Sequence, residues 1–232
     1  MAFDTLHLSE GDVIADIGCG NGLLTQEIAR AIGASGRVIG IDPSADMRAL
    51  AENRCAAFPC VQIKDGLADV LPLQDGEADK AVAVQVLEYL SDIPAAIREA
   101  HRILRAGGRF VAVDTGCNTL DWFSEDEDRM RRVQDAWDHH YVEPRVAALW
   151  LRFARDAGFV AVEVEPFTFC DVTLRADGLA FMLLHLMSRY AAENGHMSGH
   201  ETKAWFDEQI DLARQGRFFF SLTYYRMSAI KA

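Results

Sequence analysis

No run of apolar residues in this chain is long enough to cross a bilayer: the longest, around Leu179 to Met187, falls far short of the ~20 residues that a helical span needs. No CxxC pair occurs among the five cysteines, at 19, 55, 60, 117 and 170, and their odd number does not suit a secreted disulfide framework. A reducing, cytoplasmic setting is expected. The start does not read as a signal peptide, because Asp4 and Glu10 interrupt it before an apolar stretch can form. Basic charge is also scarce. With 23 Lys and Arg against 35 Asp and Glu, the formal net charge is -12, which would repel a phosphate backbone unless a local basic stripe existed. The densest basic cluster, Arg129, Arg131 and Arg132, follows directly on Glu125 to Asp128, whose charges cancel it at helical spacing. A nucleic-acid partner is therefore not expected.

Half of the 232 residues are hydrophobic, enough for one substantial core, so a single domain over 1–232 is the expectation. From residue 12 to about 115, short β-branched runs alternate with helical segments, the signature of βαβ units around a parallel sheet. Strands are predicted at Val13 to Ile17, Arg37 to Ile41, Val61 to Ile63, Lys80 to Val84 and Arg109 to Val113. Helices are predicted at Leu23 to Ile32, Ala45 to Arg54 and Ile93 to Leu104. The second half breaks that rhythm with a polar insertion at 117–145, whose helix is expected to open on a Ser124–Glu127 capping box. A helix over Arg145 to Ala157, a strand from Phe159 to Val164, two helices within 176–215 and a last strand over Phe218 to Ile230 follow. The expected fold is α/β: a doubly wound, mainly parallel, seven-stranded Rossmann-like sheet with helices on both faces.

The most informative stretch is Ala15-Asp-Ile-Gly-Cys-Gly-Asn-Gly22, between a strand and a helix. Glycines at 18, 20 and 22 allow a sharp turn and close approach of a ligand, and the next helix presents unpaired amides. Its register differs from the dinucleotide fingerprint G-x-G-x-x-G, since Leu23 occupies the third glycine's place, which opposes a nicotinamide-dependent dehydrogenase. Asp42 ends the second strand, where a carboxylate can accept from both ribose hydroxyls of a nucleoside. Asp65-Gly66 follows the third strand, as an ordinary turn or as a ligand contact, and Gln85 stands at the carboxyl end of the fourth.

This D-x-G-x-G-x-G spacing, with Asp42, Asp65-Gly66, Gln85 and Arg105-Ala-Gly-Gly-Arg-Phe110 in order, resembles the class I S-adenosylmethionine-dependent methyltransferases. The branch resembled is the small-molecule one that includes the ubiquinone and menaquinone biosynthesis enzymes. The resemblance implies S-adenosyl-L-methionine as cofactor, held by Asp16, Gly18, Cys19, Gly20, Gly22, Asp42, Met47, Asp65, Gly66 and Gln85. It implies Asp65 on the adenine amino group, Gln85 against the methionine moiety and Tyr89 near the methyl. Enzymes of that branch usually carry an N-terminal helical segment over the cofactor. Here about a dozen residues precede the first strand, so either the lid is missing or it is built elsewhere, with the helices of 176–215 as the available replacement.

A sulfonium methyl needs only alignment, exclusion of water and, for some acceptors, removal of a proton. His139, His140 and Tyr141, at the end of an amphipathic segment, are the candidate catalytic groups, although the two histidines also suit a solvated helix end. Tyr89, Trp137 and His185 are the candidate substrate contacts; His185 stands in an apolar run and equally suits a core position. The aromatics Trp122, Phe123, Trp137, Tyr141, Phe181, Trp205 and Phe206, concentrated in the two insertions, point to an apolar or aromatic small-molecule acceptor, or to plain core packing. No metal is expected. Three other readings stay open: a binding module without turnover, a dehydrogenase, and an arsenite methyltransferase using Cys55, Cys60 and Cys117. A monomer and a homodimer are equally compatible with the sequence.

Overall fold

A computed structural model of the chain describes residues 2–232. A five-residue helix, α1 (Ala2–Leu6), precedes β1 (Val13–Ile17), and the chain then alternates through α2 (Leu23–Ile32), β2 (Arg37–Ile41), α3 (Ala45–Cys55), β3 (Val61–Lys64) and β4 (Ala78–Val84). It continues into α4 (Ile93–Ile103) and β5 (Leu104–Thr115). β1, β2 and the second halves of β4 and β5 are largely buried, as strands covered on both faces must be, while the edge strand β3 alternates Val61 and Ile63 with Gln62 and Lys64. β1 pairs in parallel with β2 and β4, β2 with β3, and β4 with β5. The sheet order β3-β2-β1-β4-β5 therefore reverses direction between β1 and β4. Loops that leave the carboxyl ends of β1 and β4 part at that point, which is where open α/β sheets bind ligands.

β5 starts earlier than the sequence predicts. Arg105 to Arg109 is an irregularity inside the strand, with the register jumping between Ala78↔Leu104 and Lys80↔Arg109. Gly107 takes a φ of +76°, and a Cβ at Gly108 would stand 2.8 Å from the Arg105 carbonyl, so these two glycines make the bulge possible. Arg105 is held there by Asp79 at 2.7 Å. The third section contains β6 (Asp121–Trp122), α5 (Glu127–Asp138), α6 (Val146–Asp156), β7 (Phe159–Asp171), α7 (Leu179–Glu193), α8 (Gly199–Arg214) and β8 (Phe220–Lys231). The sheet thus has eight strands rather than seven. The two-residue β6, antiparallel to the start of β8, is too short to leave an alternation in the sequence.

Two compact units result, the first running to Asp114 and taking back Val146–Glu165 and Tyr225–Ala232, the second formed by Thr115–Arg145 and Pro166–Tyr224. In the first, α4 presents Ile93, Ala96, Ile97, Ala100 and Ile103 to the core at helical spacing, capped by Asp92, whose side chain accepts from Ala95 N–H at 2.9 Å. Trp150 of α6 is fully buried in the same core. The second unit closes around Trp122, which meets Trp205 and Phe220 edge-on and donates its indole N–H to Gln209 at 2.9 Å.

The expected Ser124–Glu127 box is not the cap of α5. Asp126 caps it, accepting from Arg129 N–H, while the Ser124 hydroxyl donates to Glu208 of α8 at 2.9 Å. A true capping box opens α8 instead, between Ser198 and Glu201.

Candidate functional site

At the carboxyl ends of β1, β2 and β4 the first unit opens a cavity of about 990 Å³. Its walls bring together Asp16, Gly18, Cys19, Gly20, Asp42 and Met47. Gly66, Gln85 and Tyr89, also singled out in the sequence, complete that set. The glycine loop is shaped by three positive φ angles, +67° at Gly18, +52° at Gly20 and +78° at Gly22. The three positions do different work. A Cβ on Gly18 would stand 2.4 Å from Val86, so this residue lets the loop lie against the turn after β4. At Gly20 a Cβ would meet no protein atom within 4 Å. Gly22 is outside the lining; a Cβ there would be 2.8 Å from Ala51, so it packs α2 against α3 rather than facing a ligand.

Asp42 is nearly buried and holds the loop in place. Its Oδ2 accepts from Gly20 N–H and its Oδ1 from Ser44 N–H, both at 2.9 Å. A carboxylate has about four lone-pair sites, so each oxygen keeps capacity for one more donor. Asp16, on β1, accepts from the Thr25 hydroxyl at 2.6 Å. Burial, with Asp42's charge adding to it against the Thr25 hydrogen bond, pushes its pKa up to about 7. Burial also pushes the Cys19 thiol up to about 12, which leaves it an uncharged wall residue. Gln85 takes a φ of +54°, unusual for a side chain of its size, and its N–H donates to the Val113 carbonyl at 2.7 Å. That bend turns the chain from β4 into the 87–89 turn, and the Val86 N–H just before it donates to the buried Asp114 carboxyl at 2.9 Å.

Several expected positions lie elsewhere. Asp65 does not line the cavity: its side chain is 73% exposed and pairs with Arg48 at 2.9 Å, while its neighbours Gly66 to Asp69 form the wall. His139, His140, Tyr141 and Trp137 belong to the second unit. There His140 stacks on Trp137 at 4.4 Å, Trp137 N–H donates to the Tyr141 hydroxyl at 3.1 Å, and His139 stacks on His196 at 4.9 Å. Burial lowers the pKa of His140, which keeps it neutral at pH 7. His185 is exposed on α7, edge-on to Phe181 and Phe206, and lines neither that cavity nor the smaller one of the second unit. The thiols proposed for a metalloid are turned to the backbone: Cys55 donates to the Gly22 carbonyl and Cys117 to that of Thr115.

The sequence reading missed Leu23, Asp69 and Asp92 as wall residues. Asp92 carried a signal, since an N-cap that opens the helix after β4 must lie on the ligand edge of the sheet. Asp69 carried none, being set by the tight Leu67–Val70 turn. The wall carries the carboxyls of Asp16, Asp42, Asp69 and Asp92 among apolar residues and has no Lys, Arg or His, so its ionisable side chains are acidic and none is basic. Such a wall suits a cationic ligand with hydroxyl donors and opposes a pyrophosphate.

Residues 15–112 match the family model described as a methyltransferase domain. An uncharacterized 37.1 kDa protein of transposon Tn4556 from Streptomyces fradiae is 34% identical over 226 residues, covering 96% of this chain and 63% of that protein. The 2-phytyl-1,4-naphthoquinone methyltransferase of Thermosynechococcus vestitus is 36% identical over 114 residues, 49% of this chain and 51% of its own. The chain thus spans between half and two thirds of the length of these relatives. Among solved structures, a Bacillus halodurans protein assigned as a methyltransferase superposes with a TM-score of 0.70 at 17% identity, covering 99% of this chain and 96% of its own. The glycine loop, Asp42 and Gln85 follow one another around the cavity within the residues that match the methyltransferase domain, so over that domain the chain is similar to the class I S-adenosylmethionine-dependent methyltransferases.

Proposed function

We propose that this protein binds S-adenosyl-L-methionine in the 990 Å³ cavity and transfers its methyl group to a small apolar or aromatic metabolite. The observation that carries the reading is the anionic wall: four aspartates with no basic side chain, wrapped around a glycine loop. The ligand has a sulfonium, an ammonium, a carboxylate and a ribose diol, with a net positive charge, and the residues fit its two cationic groups and the diol. Asp42 offers its two remaining lone pairs to the diol. Asp16 offers a carboxyl that a neighbouring cation would ionise, and Met47 and Leu23 offer apolar surface. When bound, the sulfonium supplies an electrophilic methyl carbon. The chain's own part is to orient it through Gln85 and the glycine loop and to keep water out. The naphthoquinone enzyme among the relatives supports a flat, apolar acceptor.

Calorimetric titration with S-adenosylmethionine and, separately, with NAD tests the cofactor. Binding of the first and not the second is expected; the reverse would return the chain to the dehydrogenases. Transfer of labelled methyl to a naphthohydroquinone tests turnover. Tight binding with no transfer to any flat acceptor would leave a binding module.

A further inference from the structure

The second unit contains a cavity of its own, of about 180 Å³. Its apolar lining is Leu120, Leu183, Leu222 and the indole of Trp137. Asp135 and Asp138, three residues apart on one face of α5, line it too, and no Lys, Arg or His does. The cations that might have neutralised them are committed elsewhere. Arg129 pairs with Glu208 at 2.6 Å, Arg131 with Asp128 and Arg132 with Glu201. Among the described residues neither Asp135 nor Asp138 takes part in an ion pair. The carboxyl of Asp138 is pushed above its ordinary range by burial and then by Asp135, with His139 opposing them.

We propose that this cavity is a binding site for a small arylalkylamine, its ring against Trp137 and the three leucines and its ammonium on the carboxylates of Asp135 and Asp138. Three features define the ligand. The volume suits one ring, because an apolar cavity of about 150 Å³ admits benzene. It lies below the ~300 Å³ at which drug-sized sites begin. The indole and the leucines call for a flat apolar body, and an indole face also attracts a cation. The unpaired carboxylates call for a positive charge that donates hydrogen bonds. The site lies wholly within the second unit, so the inference does not rest on methyl transfer.

Benzylamine and its neutral isostere benzyl alcohol are the probes, titrated by calorimetry into the full chain. Benzylamine is expected to bind at least tenfold more tightly than the alcohol. The Asp135→Asn/Asp138→Asn double variant should lose at least tenfold in benzylamine affinity and leave alcohol binding unchanged. Because these side chains hold no other element in place and repel each other, circular dichroism should show a melting temperature no lower than the parent's. Equal affinity for amine and alcohol would overturn the proposal. So would benzylamine binding that survives the double substitution, which would place it in the first unit's anionic cavity, or no binding heat up to about millimolar concentration.

Discussion

Asp42 has two tasks, and they predict different losses. Its carboxylate accepts Gly20 N–H and Ser44 N–H, and in the proposed complex it also accepts the ribose diol. Asp42→Ala should weaken S-adenosylmethionine binding by about thirty-fold to several-hundred-fold, the equivalent of roughly 2 to 4 kcal/mol for charge-assisted hydrogen bonds. It should also lower the melting temperature of the ligand-free protein, because two backbone donors lose their acceptor. Calorimetry and thermal melts measure the two separately. Gly20→Val should abolish binding in a chain that still folds, since the added side chain meets open space but not a favourable φ. Asp16 predicts a pH effect. Between its ordinary value of 3.8 and about 7 the folded carboxyl keeps a proton that the unfolded chain has released. Its contribution therefore makes stability fall as pH rises through that window and level off above it. Asp16→Asn should remove that slope, and urea denaturation between about pH 5 and about pH 8 should show parent and variant diverging at the lower end. An identical slope in both would mean that Asp16 ionises normally. The glycine loop, Asp42 and Gln85 were legible in the sequence because their chemistry depends on position along a strand. Asp65 was not, because its partner Arg48 is fixed by how α3 lies, which no local pattern reports.

The helices and strands of the first unit were legible because each apolar run alternates with a helix of its own period. The start of β5 was hidden by Gly107 and Gly108, which read as a turn yet form a bulge within a paired strand. In the second unit the same ambiguity affected caps. Ser124-x-x-Glu127 has the capping pattern, but Asp126 lies closer to the first turn and Glu208 competes for the serine hydroxyl. Ser198 has no such competitor and receives Glu201 N–H at 3.2 Å. Ser198→Ala should destabilise α8 by about 0.5 to 2 kcal/mol, read by denaturant unfolding. Ser124→Ala should act on the Glu208 contact and leave α5 formed. The lid reading of α7 and α8 is tested by hydrogen exchange: their amides should gain protection on adding S-adenosylhomocysteine. Protection equal with and without ligand, at the level of β1 and β4, would make these helices a fixed element.

Across the molecule the excess of acidic charge is not spread evenly, for it lines both cavities and leaves both without a basic residue. Anionic ligands are thereby opposed at each, which is why a dinucleotide is a poor candidate despite the glycine loop. That distribution was not legible in the net charge of -12, since it depends on which aspartates the fold turns inward and on arginines being paired elsewhere. The central claim is that the switch point between β1 and β4 holds the nucleoside and amino-acid portions of the cofactor. A crystal structure of the protein with S-adenosylhomocysteine tests it most directly. The account predicts the ribose hydroxyls within hydrogen-bond distance of Asp42 and the amino-acid portion beside Asp16 and Gln85. A ligand bound outside this cavity, or inside it with Asp42 still bonded to Gly20 and Ser44 alone, would contradict it.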